Sequence, residues 1–106
     1  MSVLSLAEIK EKIIPVCEKY DIPEVYIFGS YAAGTARPDS DVDLLIDNVN
    51  IHGIFAFAAA ENAFSEALNK KVDIVSIAAL KEQKDTYFGQ TVPKLAKLLF
   101  RRGKNE

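Results

Sequence analysis

Gly29-Ser30-Tyr31-Ala32-Ala33-Gly34-Thr35-Ala36-Arg37-Pro38-Asp39-Ser40-Asp41-Val42-Asp43 is the stretch on which the reading of this chain turns. It begins with a Gly-Ser corner after the apolar run Val25-Tyr26-Ile27-Phe28 and ends with two aspartates opening a second apolar run, Leu44-Leu45-Ile46. Residues two apart on a strand share a face. Asp41 and Asp43 therefore aim two carboxylates at one spot, while Val42, Leu44 and Ile46 face the other way. Like charges held side by side repel unless a proton or a cation lies between them. A hard cation such as Mg²⁺ takes one or two carboxylates together with phosphate oxygens. The Gly-Ser corner can offer backbone N–H groups to such a phosphate.

Upstream, Ser5-Leu6-Ala7-Glu8 has capping-box spacing and predicts a helix start. Ile9, Ile13, Val16 and Tyr20 continue it as one apolar stripe, with Pro15 inside predicting a kink or an early end. Val25 to Phe28 reads as a buried strand, Tyr31 to Ala36 as a brief helical turn, Arg37 to Ser40 as a loop and Val42 to Ile46 as the second strand. After the polar loop Asp47 to His52, the residues Phe57, Ala60, Phe64 and Leu68 mark a helix of about four turns, ended by Lys70-Lys71. Val72 to Ile77 is a third strand, Ala78 to Lys84 a short helix and Asp85 to Thr91 a loop. Leu95, Leu98 and Leu99 give Val92 to Arg102 helical spacing, and the tail from Gly103 is expected to fray. The order α-β-β-α-β-α predicts a small α/β domain, helices packed on one sheet, spanning residues 1–106 as a single unit.

Asp73 sits in an apolar, β-branched run, as Asp43 does. A charged aspartate buried there without a partner costs several kcal/mol. Three strands converging on one edge would bring together Gly29-Ser30, Asp41 with Asp43, and Asp73. Three carboxylates around one or two Mg²⁺ ions suit two-metal phosphoryl transfer, in which the third carboxylate takes the proton of an attacking hydroxyl.

Gly29-Ser30, ten residues, then Asp41-Val42-Asp43 resembles the signature of the polymerase-beta-type nucleotidyltransferases. The fuller string through Leu45 is similar to the minimal nucleotidyltransferases (MNT) of bacteria and archaea, and the likeness covers essentially the whole chain. The resemblance implies an α/β (α+β) domain with a mixed sheet. It implies Gly29 and Ser30 on the β- and γ-phosphates of ATP, and Asp41, Asp43 and Asp73 as ligands of Mg²⁺ (or Mn²⁺), with Asp73 also the base toward the acceptor hydroxyl. It implies AMP left on the acceptor and pyrophosphate released. Many members carry Arg where this chain has Ala33, which removes a charge contact near the nucleotide or partner.

The family also implies a partner, a small helical HEPN protein, in some cases a ribonuclease toxin that the MNT protein neutralises by adding AMP to a tyrosine. At 106 residues there is no room for a separate acceptor-holding domain. The alternative is a non-catalytic antitoxin that silences its HEPN partner by occlusion. Transfer to a small molecule such as an aminoglycoside would require an acceptor pocket built by dimerisation, so a homodimer and a hetero-oligomer both stay open.

Composition excludes other classes. Fifteen acidic against thirteen basic residues, net charge −2, give no basic excess of the kind that marks direct nucleic-acid binding. The longest apolar run, Ile54 to Ala60, is too short to span a membrane. The start Met1-Ser2-Val3-Leu4 lacks the pattern of a signal peptide. A lone Cys17 rules out an internal disulfide and fits a reducing cytoplasm. Cys17, Ile54, Phe55, Phe57 and Phe64 read as core, and His52 as structural or solvent-facing. Ser30 suits a helix N-cap, Arg37 either a phosphate contact or a surface pair with Asp39, and Asp73 could alternatively pair with Lys70 or Lys71. Lys94, Lys97, Arg101, Arg102 and Lys104 read as a solvated basic helix end.

Overall fold

A computed structural model describes residues 3–83 and 95–102. Helix α1 runs over Leu6–Lys19 and opens on the capping box: Ser5 Oγ accepts from the Glu8 N–H at 3.0 Å, and Glu8 Oε1 accepts from the Ser5 N–H at 2.8 Å. Pro15 lies within α1 without ending it. Its missing N–H would have met the carbonyl of Glu11, and both residues are exposed, so water can satisfy that oxygen. Strand β1 (Glu24–Phe28) leads into the five-residue helix α2 (Gly29–Ala33), and β2 (Val42–Ile46) follows. Helix α3 (Ile54–Leu68) ends on Asn69 in the left-handed region, φ 53°. Strand β3 (Val72–Ser76), helix α4 (Ile77–Lys81) and strand β4 (Lys97–Arg101) complete the described elements.

The sheet order is β3-β2-β1-β4. β1 is antiparallel to β2 and β4, and β2 is parallel to β3, so the sheet is mixed. Alternation divides each strand between two faces. Val25, Ile27, Val42, Leu44, Ile46, Val72 and Ile74 turn toward α1 and α3, where Ile9, Ile13, Cys17, Ala60 and Phe64 complete the core. On the reverse face a smaller cluster joins Leu45 and Leu80 with Tyr26, Phe28, Val75 and Ile77. Two rows cross this reverse face. One is Phe28, Asp43, Asp73; the next is Leu98, Tyr26, Leu45, Val75.

Three expectations are corrected. Residues Lys97–Arg101 form a strand on β1 rather than the end of a helix. The register jumps between Val25 and Tyr26, so Leu99 is an extra residue in β4 and both it and Phe100 reach the core. A bulged strand mimics helical spacing, because the added residue breaks the period of two. The strand is anchored by Arg101 Nε on Glu24 Oε2 at 2.7 Å and by the ion pair of Arg102 with Asp21. Ile54 and Phe55 are exposed, 78% and 88%, because the buried stripe of α3 begins further on and runs through Ala60, Phe64 and Leu68. Finally, the residue before α2 is Phe28, with no side-chain cap, and Ser30 is already inside the helix. The expected loop Asp85 to Thr91, the tail from Gly103, Lys84, residues 92–94 and Lys104 lie outside the described residues.

Candidate active site

The carboxylates are placed by strand pairing. Asp43 and Asp73 are directly paired across the parallel strands β2 and β3, so both side chains stand on the reverse face, away from α1 and α3. Asp41 lies one residue before β2 and shares that face by alternation. Strand spacing of ~4.8 Å sets the scale of separation between Asp43 and Asp73. Asp43 is half-buried. Burial, then the charges of Asp73 and Asp41, push its carboxyl above the ordinary carboxylate value. Among the described residues neither Asp43 nor Asp73 has a hydrogen bond or ion pair of its own. Lys71 approaches Asp41 instead, Nζ to Oδ2 3.9 Å, with both side chains largely exposed, and Lys70 donates to the Pro38 carbonyl at 2.5 Å. The alternative pairing of Asp73 with either lysine is therefore not found.

Gly29 opens α2 at φ +72°, a conformation costly to any residue with a Cβ. A Cβ there would overlap the Asp43 carboxylate. Glycine thus lets the start of α2 sit directly against the β2 aspartate. Ser30 follows, and the turn closes at Gly34, whose N–H and that of Thr35 both donate to the Ser30 carbonyl. The Gly-Ser corner and the three aspartates therefore share one end of the sheet. Among the described residues no three His, Cys, Asp or Glu side chains enclose a cation site by themselves.

A cleft of about 600 Å³ borders α2. Gly29, Ser30, Ala33 and Thr35 form one wall, and Leu95 with Lys97 the other. Gly29 thus borders both this cleft and the Asp43 carboxylate. Arg37 makes no pair with Asp39; its N–H donates to Ser40 Oγ at 2.8 Å. His52 is exposed, and burial pushes the Cys17 thiol up to about 12, as befits a core residue.

Reasoning from sequence missed Glu61 and Ser65. Glu61 Oε2 accepts from the Ile74 N–H at 3.2 Å, and Ser65 Oγ from the Val72 N–H at 3.1 Å. Both partners are backbone groups, and nothing in the sequence sets these two apart from the other polar residues of α3, Asn62 and Glu66.

A mixed four-stranded sheet, with a Gly-Ser helix start facing aspartates on its neighbouring strands, defines a nucleotidyltransferase-type domain. The chain belongs to the family described as Polymerase beta, Nucleotidyltransferase, which matches residues 11–105. It is 34% identical to the protein adenylyltransferase MntA of Thermococcus cleftensis, over 76% of this chain and 86% of that protein. A solved structure assigned as a minimal nucleotidyltransferase superposes with TM-score 0.69 and 29% identity, covering 91% of this chain and 97% of the other. The fold also matches the tri-AMPylated Shewanella oneidensis HEPN toxin in complex with MNT antitoxin, with TM-score 0.64, 20% identity, and coverage of 91% and 72%. The chain is a nucleotidyltransferase. No described helix is long and apolar enough to cross a membrane.

Proposed function

We propose that this chain transfers AMP from ATP to a tyrosine hydroxyl of a HEPN-domain partner, as the antitoxin of a toxin–antitoxin pair. The observation that carries the reading is the pairing of Asp43 with Asp73 beside Gly29. Two half-buried carboxylates on paired strands, the Asp43 carboxyl raised by burial and by its acidic neighbours, form a set of hard oxygen donors, and that donor chemistry fits Mg²⁺ or Mn²⁺. Asp41, Asp43 and Asp73 hold the cation, which when bound offsets the charge developing on the phosphates. Gly29 and Ser30 hold the β- and γ-phosphates. Asp73 accepts the proton of the acceptor hydroxyl as its oxygen bonds to the α-phosphorus. The bond from that phosphorus to the bridging oxygen breaks, and pyrophosphate leaves with the electron pair.

Positioning two reactants supplies ~7–11 kcal/mol of a barrier, which docking of a protein acceptor would provide. The relative from Thermococcus is named for transfer to protein, and the Shewanella complex joins an MNT antitoxin to an AMPylated HEPN toxin, which supports this choice of acceptor. The test is incubation with ATP, Mg²⁺ and the HEPN protein encoded beside this chain, read by intact-mass spectrometry. Added AMP on a tyrosine is expected, and Asp73→Asn should stop it while leaving ATP binding largely intact. A stable complex that silences the partner without any added AMP would replace catalysis by occlusion.

A further inference from the structure

Among the described residues β3 is an edge strand, paired with β2 on one side only. The N–H groups of an edge strand that point outward normally face water or another chain. Here the two on either side of Asp73 are taken by α3: Val72 N–H by Ser65 Oγ at 3.1 Å and Ile74 N–H by Glu61 Oε2 at 3.2 Å. Ser65 and Glu61 are four residues apart, so one helical face supplies both acceptors. Buried Ala60, Phe64 and Leu68 fix that helix against the core. Alternation directs the N–H of Asp73 itself toward β2. The backbone at positions 72 to 74 is thus tied on both sides.

This tie matters because the Asp73 side chain has no other support. Among the described residues its carboxylate makes no hydrogen bond or ion pair, and its strand partner Asp43 carries the same charge. Its place opposite Asp43 is set by its backbone alone. We propose that Glu61 and Ser65 are positioning residues: they hold the β3 backbone so that Asp73 stays aligned with Asp43, and so set the quality of the cation site and the rate of transfer. This rests on the assignment of Asp73 above. A carboxylate accepting from a backbone N–H makes a strong, charge-assisted bond, and Glu61 is only partly exposed, so water is a poor substitute. Partners that orient a ligand from behind are worth ~10–100-fold in metal affinity or activity.

The test compares wild type with Glu61→Met, Ser65→Ala, the double variant, Glu61→Gln and Asp73→Asn. Each is checked for fold by circular dichroism. Mn²⁺ binding to the full chain, followed by electron paramagnetic resonance, needs no partner and no turnover. The double variant should bind Mn²⁺ at least ~10-fold more weakly. Glu61→Gln, which keeps an acceptor oxygen, should stay within about threefold of wild type, on the same scale. In the transfer assay the double variant should lose kcat with KM for ATP nearly unchanged, whereas general destabilisation would move both. If Glu61→Met does not fold, Ser65→Ala decides alone. Asp73→Asn separates the two levels of the argument. If it weakens Mn²⁺ while the folded clamp variants bind as wild type, the positioning role is wrong and the site stands. If Asp73→Asn itself leaves Mn²⁺ binding intact, the assignment of Asp73 is wrong and the positioning role falls with it.

Discussion

Replacing Asp43 by Asn should stabilise the metal-free protein, and the structure sets how much. Asp43 and Asp73 are paired neighbours on parallel strands, so their carboxylates are held on the order of 5 Å apart. Coulomb's law gives ~3 kcal/mol of repulsion at an effective dielectric of ~20 and ~0.8 kcal/mol in bulk water. Both residues are partly exposed, which places the penalty near the lower figure, ~1 kcal/mol. For a domain of this size that corresponds to a melting temperature higher by ~4–8 °C. The pH dependence tests the charge penalty, to which burial of the Asp43 carboxylate contributes first and the charges of Asp73 and Asp41 next. The Asp43 carboxyl is raised in the folded state, so protonation favours folding. The penalty is absent below the ordinary aspartate value, grows as pH rises through that value and the raised one, and is complete above both. Differential scanning calorimetry in chelator should therefore show the Asn advantage at about pH 7.5 and none at about pH 3, where the raised Asp43 carboxyl is protonated. Adding Mg²⁺ with ATP should reverse the order, because only the wild type keeps the full donor set. An equal gain at both pH values, or none at neutral pH, would refute the repulsion.

Ser30→Ala should weaken ATP binding more than AMP binding in calorimetric titration, because only ATP has the phosphates that Ser30 is proposed to hold; equal losses would move Ser30 out of that role. Gly29→Ala should lower stability by at least ~1–2 kcal/mol in urea unfolding, since a left-handed residue gains a Cβ that meets the Asp43 carboxylate. Combining it with a smaller residue at position 43 should recover part of that loss. Tyr31→Phe should raise stability by ~1 kcal/mol, because the Tyr31 hydroxyl is buried with no hydrogen-bond partner among the described residues. A fall in stability in the same unfolding assay would point to a partner for that hydroxyl.

What could be read in advance was whatever local chemistry determines. The capping box at Ser5 and Glu8 needs only four residues, and both of its bonds are present. The strands carrying Asp43 and Asp73 were legible because β-branched apolar runs have few alternative uses. That the two aspartates sit in one row was not legible, because register depends on contacts across thirty residues of chain. The β4 strand was misread because a bulge gives Leu95, Leu98 and Leu99 helical spacing, and only the unpaired side of β1 distinguishes the two. Ile54 and Phe55 were taken for core on hydrophobicity alone, although α3 has apolar residues around more of its circumference than it buries. The roles of Glu61 and Ser65 could not be seen, since their partners are backbone groups and leave no trace in the sequence.

Strand alternation sends Val42, Leu44 and Ile46 to one side of the sheet and Asp43 with Asp73 to the other. The interior that makes the chain fold and the carboxylates proposed to do its chemistry therefore share no residue. Asp43→Asn or Asp73→Asn leaves every core contact in place. A lineage carrying this domain can lose the proposed carboxylate chemistry in one nucleotide change and keep every core contact. Descendants that act only by binding are thus one mutational step away, and the reverse step is equally short.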